Sequence, residues 1–211
     1  MNLPGNTSPT WSAPDLARAA SSTATAAALS GTGKTAFQAA LKFAKATEKT
    51  MNKKGRPQLA GAWTDEKTGK QYICDTFTLA QYDTPMAGLP QAEYFGQRPL
   101  KVEDIIRPRM LKGILPDVKQ LRADHATVKT AYGRLADSIY TALDYPGGVT
   151  CYFDTQRLAD AIDCMQALTF EYDASPVTPI TIIGKLGLAL VVPCRVQHPD
   201  ELCYQIKHYS V

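Results

Sequence analysis

The sequence has no apolar run long enough to cross a membrane: the longest nearly continuous one covers residues 186–193, and a spanning helix needs roughly 20. No membrane partner is therefore expected. Nor does the start of the chain combine a basic segment, an apolar stretch and a small-residue cleavage site, so nothing directs secretion and the expected location is the cytoplasm. Cysteine is present without a pairing pattern. Cys74, Cys151, Cys164, Cys194 and Cys203 are odd in number and contain no CxxC spacing, which argues for reduced, mostly buried thiols rather than a disulfide framework or a metal site. The three histidines, His125, His198 and His208, are too scattered for HxxxH or HExxH, and there is no GxSxG elbow. No catalytic centre, metal or cofactor is expected on these grounds, and His125 reads as a core residue of a helix. Charge is nearly missing from residues 1–33, which hold only Asp15 and Arg18 among Ala, Ser, Thr, Gly and Pro. A segment with so little apolar surface to bury is expected to be a mobile arm or a weak helix.

What remains is the composition of an ordinary globular protein, 45% hydrophobic and 20% charged, with enough chain for one domain of α+β class. The net charge of +3 hides an asymmetry. Residues 34–56 carry seven basic side chains and one acid, Glu48, whereas residues 154–173 carry five acids and one base, Arg157. The two segments present opposite fields.

Residues 35–53 read as a helix with Phe37, Ala40, Leu41 and Ala44 at three- and four-residue spacing, stopped by Gly55 and Pro57. Three strand-like runs follow at 58–63, 70–74 and 77–82. The first two are joined through Asp65, Glu66, Lys67, Thr68 and Gly69, material for a hairpin turn with Gly69 at positive φ. Residues 83–100 read as a loop and 98–112 as a basic connector bearing Arg98, Lys101, Arg107, Arg109 and Lys112. A long amphipathic helix is expected from Asp117 to about Asp144, with Leu121, His125, Val128, Tyr132, Leu135, Ile139 and Leu143 on its apolar side and Gly133 as its one soft point. Then come a strand at 149–153, a helix at 155–168 capped by Asp154, and strands at 169–173, 180–184 and 188–192. The expected organisation is an arm (1–33), a domain (34–196) and a C-terminal extension (197–211). The domain comprises one unit (34–83), a connector with the long helix (98–145) and a second unit (149–196).

Residues 35–82 run helix, strand, strand, strand, and residues 149–192 run strand, helix, strand, strand, strand. They are either two copies of one βαβββ-like unit or a common motif met twice. Two such units can lay their helices together on one side of a shared sheet. The stretch Phe153-Asp154-Thr155-Gln156-Arg157-Leu158-Ala159-Asp160-Ala161-Ile162 resembles the strand-to-helix junction of the bacterial DNA sliding clamp, whose domains are each two βαβββ units. Gly187-Leu188-Ala189-Leu190-Val191-Val192-Pro193-Cys194-Arg195-Val196 resembles its closing strand. Ala60-Gly61-Ala62-Trp63 and Ile73-Cys74-Asp75 fit the same plan more loosely.

The resemblance implies a non-catalytic module that binds the DNA phosphate backbone or a replication or repair protein, of a kind carried by a mobile genetic element. It also implies two sites. Lys42, Lys45, Lys49 and Lys53, which fall within about 80° of each other on a helical wheel, would meet phosphates, and four such contacts would give a salt slope of roughly −3 to −4. An ordinary solvated lysine face has the same pattern. The second helix departs from the family, because Asp154, Asp160 and Asp163 make it acidic. The other implied site is a pocket for partner peptides at Val192, Pro193, Cys194 and Arg195, over which the extension from His198 onward is free to fold; a buried edge strand ended by proline is the competing reading. A clamp ring takes several such domains, so one domain per chain would assemble as a homo-oligomer, borrow a partner, or act without encircling DNA.

A second motif points elsewhere. Ala28-Leu29-Ser30-Gly31-Thr32-Gly33-Lys34-Thr35 resembles the phosphate-binding loop GxxxxGK[ST], with Ala28 in place of the first glycine. In such a loop Gly31 and Gly33 let backbone N–H groups wrap the phosphates, Lys34 neutralises them, and Thr35 holds Mg²⁺ at the start of a helix. The loop must follow a buried strand, yet residues 21–28 contain no Val or Ile. Nor is there an apolar strand ending in Asp for the second magnesium role. A nucleotide-binding protein is the alternative, and a structural or adaptor protein the third reading.

Overall fold

A computed structural model describes residues 32–93, 106–133 and 138–211, with the backbone alone at 32–35 and 203. The predicted arm up to residue 31, the loop and connector at 94–105, and residues 134–137 lie outside the described residues. In chain order the elements are α1 (Thr32–Lys53), β1 (Ala62–Thr64), β2 (Gln71–Cys74), β3 (Thr78–Tyr82), β4 (Leu111–Ile114), α2 (Val118–Tyr132), β5 (Tyr140–Tyr145), β6 (Val149–Asp154), α3 (Thr155–Met165), β7 (Ala167–Tyr172), β8 (Ile180–Gly184), β9 (Gly187–Val191) and β10 (Ile206–Ser210), with 3-10 turns at Pro57–Leu59 and Cys203–Gln205. The class is α+β.

The larger sheet has seven strands in the order β1-β2-β3-β9-β8-β7-β4, and every neighbouring pair in it is antiparallel. The early and late segments meet at its centre, where β3 pairs with β9 through Ala80 and Ala189. The hairpins on either side share one register. Gln71 pairs with Tyr82 in the first and Ile180 with Val191 in the second, and both residues of the second pair lie 109 positions after those of the first. Alternation along the strands sorts the side chains by face. Ala80, Tyr82, Ile180, Ile182, Ala189 and Val191 turn toward the helices and join the main core. Tyr72, Cys74, Leu79 and Leu190 form a smaller cluster on the opposite face, under Leu59, Trp63 and Ile106. The centre of the sheet is thus covered on both sides.

Local chemistry fixes the turns and caps. Asp65 accepts hydrogen bonds from the Lys67 N–H at 3.0 Å and the Thr68 hydroxyl at 2.9 Å, and Gly69 closes that turn at φ +69°. Asp117 and Asp154 cap α2 and α3, their carboxylates accepting from Lys119 N–H and Arg157 N–H, which occupies a donor that the first helical turn leaves without a partner. Gly187 has a different duty. At φ +144° it lets β9 begin against β3, where a Cβ would stand 2.1 Å from the Gln81 carbonyl oxygen.

The second sheet has the order β10-β5-β6, antiparallel between β5 and β6 and parallel between β10 and β5. Its aromatic side chains lock it to the first, Tyr145 stacking on Tyr172 with ring centroids 4.1 Å apart.

Four sequence expectations need correction. The helix expected to run to residue 144 ends at Tyr132, with Gly133 at φ 54° as its C-cap, and 140–145 is the strand β5. Ile139 and Leu143 satisfy helical spacing, but the segment is paired on both edges, by β6 and β10. The connector contains an unforeseen edge strand, β4, whose side chains are mostly exposed and therefore show no apolar alternation. Finally, the helix expected to reach residue 168 stops at Met165, and Gln166 in the left-handed conformation turns the chain into β7. The run expected as a strand at 58–63 is a 3-10 turn followed by β1 from Ala62.

Candidate functional site

The helices lie side by side with α3 in the middle, between α1 and α2 and over β3, β8 and β9. Position decides how each is built. Among the described residues α1 has a helix beside it on one side only, and its buried stripe is narrow: Ala36, Ala40, Ala44, Thr47 and Met51. Alanine at 40 and 44 lets α1 approach α3 and the sheet closely. α3 is enclosed, so seven of its 11 residues are buried, and its polar residues emerge only along the seams with its neighbours.

Those seams hold its acids. Arg122 of α2 donates to Asp160 Oδ1 at 2.9 Å and also to Asp163. Lys42 of α1 lies 3.3 Å from the same Asp160 oxygen, and Gln156 donates to both oxygens of Asp160 at 2.9 Å. Partial burial works against the Arg122 charge, but the two carboxylates outweigh it and raise its pKa. The acidic character of α3, conspicuous in the sequence, is cancelled within the helix layer.

Lys45, Lys49 and Lys53 differ. All three are exposed on the outward face of α1, and none forms an ion pair among the described residues. The three helices together contain nine Lys or Arg and four Asp or Glu, so the layer keeps a positive balance after its internal pairing. Of the four lysines predicted to share one face, the structure leaves three free and ties Lys42 to Asp160.

No family model, curated protein or solved structure matches this chain.

The predicted peptide-binding tail lies elsewhere. Beyond β9, Cys194 N–H donates to Tyr152 O at 2.6 Å, tying the tail to the free edge of β6. Val192 and Arg195 remain exposed, and Pro193 and Cys194 are half-buried. The end of the C-terminal extension lies away from this tail: β10 joins the second sheet beside β5, at the edge away from β6. Of the phosphate-loop residues, Gly31 lies outside the described residues, while Gly33, Lys34 and Thr35 have helical backbone in the first turn of α1. The described sheet beneath α1 is antiparallel, unlike the parallel strand arrangement such a loop belongs to.

Sequence reasoning missed the cavity between α1 and α3. It has a volume of about 250 Å³ and is bordered by Thr47, Thr50, Lys54, Asp75, Thr78 and Arg157, among others. Asp75 is fully engaged there: Oδ1 accepts from the N–H groups of Phe77 at 2.9 Å and Thr78 at 2.7 Å, and Oδ2 faces Arg157 Nη1 at 3.2 Å. Arg157 also stacks on Phe77, its Cζ 4.3 Å from the ring centroid. Cys164 borders the same space; burial pushes its thiol up to about 12, so it stays neutral at physiological pH. Among the described residues no group of three or more metal-ligating side chains occurs, and no helix is long and apolar enough to cross a membrane.

Proposed function

We propose that this protein is a non-catalytic binding module that holds the phosphate backbone of duplex DNA against the outward face of α1, in the manner of a single sliding-clamp domain. One observation carries the reading. Lys45, Lys49 and Lys53 stand exposed and unpaired, while the acids of the neighbouring helix, Asp160 and Asp163, are held by Lys42 and Arg122. Unneutralised carboxylates beside the lysines would repel a phosphate backbone, and the pairing removes that repulsion. Two helix-plus-strand units joined at β3 and β9, with both helices on one face, are also the layout this reading requires.

Contacts of this kind position a protein on DNA and carry no base information. Binding is therefore independent of sequence and governed by salt. Three free lysines give a slope of log affinity on log salt of about −3, rather than the steeper value expected for four. The test is duplex binding across a salt series for the wild type and for the combined Lys45→Glu, Lys49→Glu and Lys53→Glu variant, with the melting temperature of both as a control for folding. The expected outcome is loss of the salt-dependent component in a folded variant. Equal, salt-insensitive binding by both proteins excludes the reading.

A further inference from the structure

We propose that the cavity between α1 and α3 is a binding site for a small oxyanion of phosphate size. Two side chains point to it. Thr47, on the buried stripe of α1, and Thr78, on β3, are only 1% and 4% exposed, border the cavity, and have hydroxyls with no hydrogen-bond partner. A buried hydroxyl left without a partner is destabilising, and here two such side chains border one space. The cavity volume of about 250 Å³ is below the roughly 300–1,000 Å³ of sites for drug-sized molecules. It is nevertheless several times the roughly 30 Å³ share of one water molecule. A phosphate group with a few further atoms is the right scale.

The charge of the ligand follows from which groups are already engaged. Both acids at the cavity are occupied, Asp75 by Arg157 and two backbone N–H groups, and Asp160 by Lys42, Arg122 and Gln156. Neither can take on an ammonium group or a metal ion without surrendering a partner. What remains is a set of donors. Thr47 and Thr78 stand buried in the cavity wall, and the exposed Thr50 and Lys54 border its mouth, one and two turns along from Ala46 on the same side of the chain. Arg157 and Asp75 cancel each other in the wall, so Lys54 supplies the unpaired positive charge, and the neutral thiol of Cys164 adds no repulsion. Hydroxyl donors backed by cations recognise an oxyanion. The site is separate from the outward lysine row, and the inference does not depend on DNA binding.

The source of the oxyanion, a free ion or the phosphate end of a small metabolite, is separated by titrating the full chain with inorganic phosphate and, in a second arm, with a small phosphomonoester. Sodium chloride at matched ionic strength is the control, and the readouts are calorimetry and melting temperature. Saturable binding of inorganic phosphate is expected, with no response to chloride. Thr78→Val and Thr47→Val keep the side-chain shape while removing the hydroxyl. Each is expected to melt at or above the wild-type temperature without ligand, yet to bind phosphate about tenfold more weakly. Lys54→Gln, at an exposed position, tests the same claim without entering the core and is also expected to weaken binding about tenfold. The Lys45→Gln, Lys49→Gln and Lys53→Gln combination is expected to leave phosphate binding unchanged. Absence of saturable binding by the wild type overturns the proposal. So does undiminished binding by the threonine variants and Lys54→Gln, or loss of binding in the outward-lysine combination alone.

Discussion

The two units that meet at β3 and β9 share a layout and differ in chemistry. Their hairpins have the same register, yet one helix is basic with an alanine stripe and the other is acidic with a leucine, isoleucine and methionine core. The difference follows from position. Among the described residues α1 has a helix beside it on one side only, so a narrow buried stripe suffices and its lysines face water. α3 is enclosed by α1, α2 and the sheet; it needs a wide apolar surface, and its acids can emerge only where another helix supplies a cation. One supersecondary plan therefore yields a free charged face at the edge of the layer and an internally neutralised one at its centre.

The strongest way to break this comparison is to break the joint between the units. Gly187→Ala would place a Cβ 2.1 Å from the Gln81 carbonyl oxygen at a φ of +144°, so the pairing of β3 with β9 must shift. The expected loss of stability is on the order of 3 kcal/mol or more, measured by chemical denaturation. A loss below 1 kcal/mol would mean that the two hairpins are not held together at this point.

Removing the cation that neutralises α3 has a smaller effect. Arg122→Ala frees Asp163 and leaves Asp160 with Lys42 and Gln156. Because these groups are about a third exposed, the expected destabilisation is about 1 kcal/mol. Duplex binding should weaken as well, although Arg122 lies on α2 and the free lysines on α1. Unchanged duplex binding would show that the neutralisation of α3 has no bearing on the lysine face.

The buried thiols sharpen the contrast between core and surface. Burial raises Cys164 from an ordinary value of 9 to about 12 and Cys74 to about 11. Above pH 9 the unfolded chain releases these protons while the folded chain retains them. The stability these thiols contribute is therefore fully present below pH 9 and is lost as the pH rises through the folded values. Cys164→Ala should make that decline shallower between pH 9 and 12, as followed by denaturation at a series of pH values. The smallest effect concerns a single exposed lysine: Lys49→Gln should reduce the magnitude of the DNA salt slope by about 1 and leave stability within about 0.5 kcal/mol.

Much of the fold is legible residue by residue. Asp117 and Asp154 announce helix starts, Asp65 with Gly69 announces a hairpin, and 184–187 the turn between β8 and β9, because each acts through hydrogen bonds or dihedral angles a few residues away. The strand β5 escapes this reading, since Ile139 and Leu143 fit helical spacing as well as they fit a strand. Only the edges of β6 and β10 on either side decide between them. The edge strand β4 escapes because an exposed strand leaves no apolar alternation.

At the candidate sites the division is sharper. The α+β class, the caps and turns, and the shared face of Lys42, Lys45, Lys49 and Lys53 follow from residue spacing along the chain alone. That Lys42 is paired while the other three are unpaired among the described residues, and that Thr47 and Thr78 border one cavity, depends on how the helices pack. Arg122 lies 38 and 41 positions from its carboxylates, and Lys42 lies 118 from its own. Electrostatic neutralisation depends on distance in space, and no local pattern encodes contacts that exist only once the helices have packed.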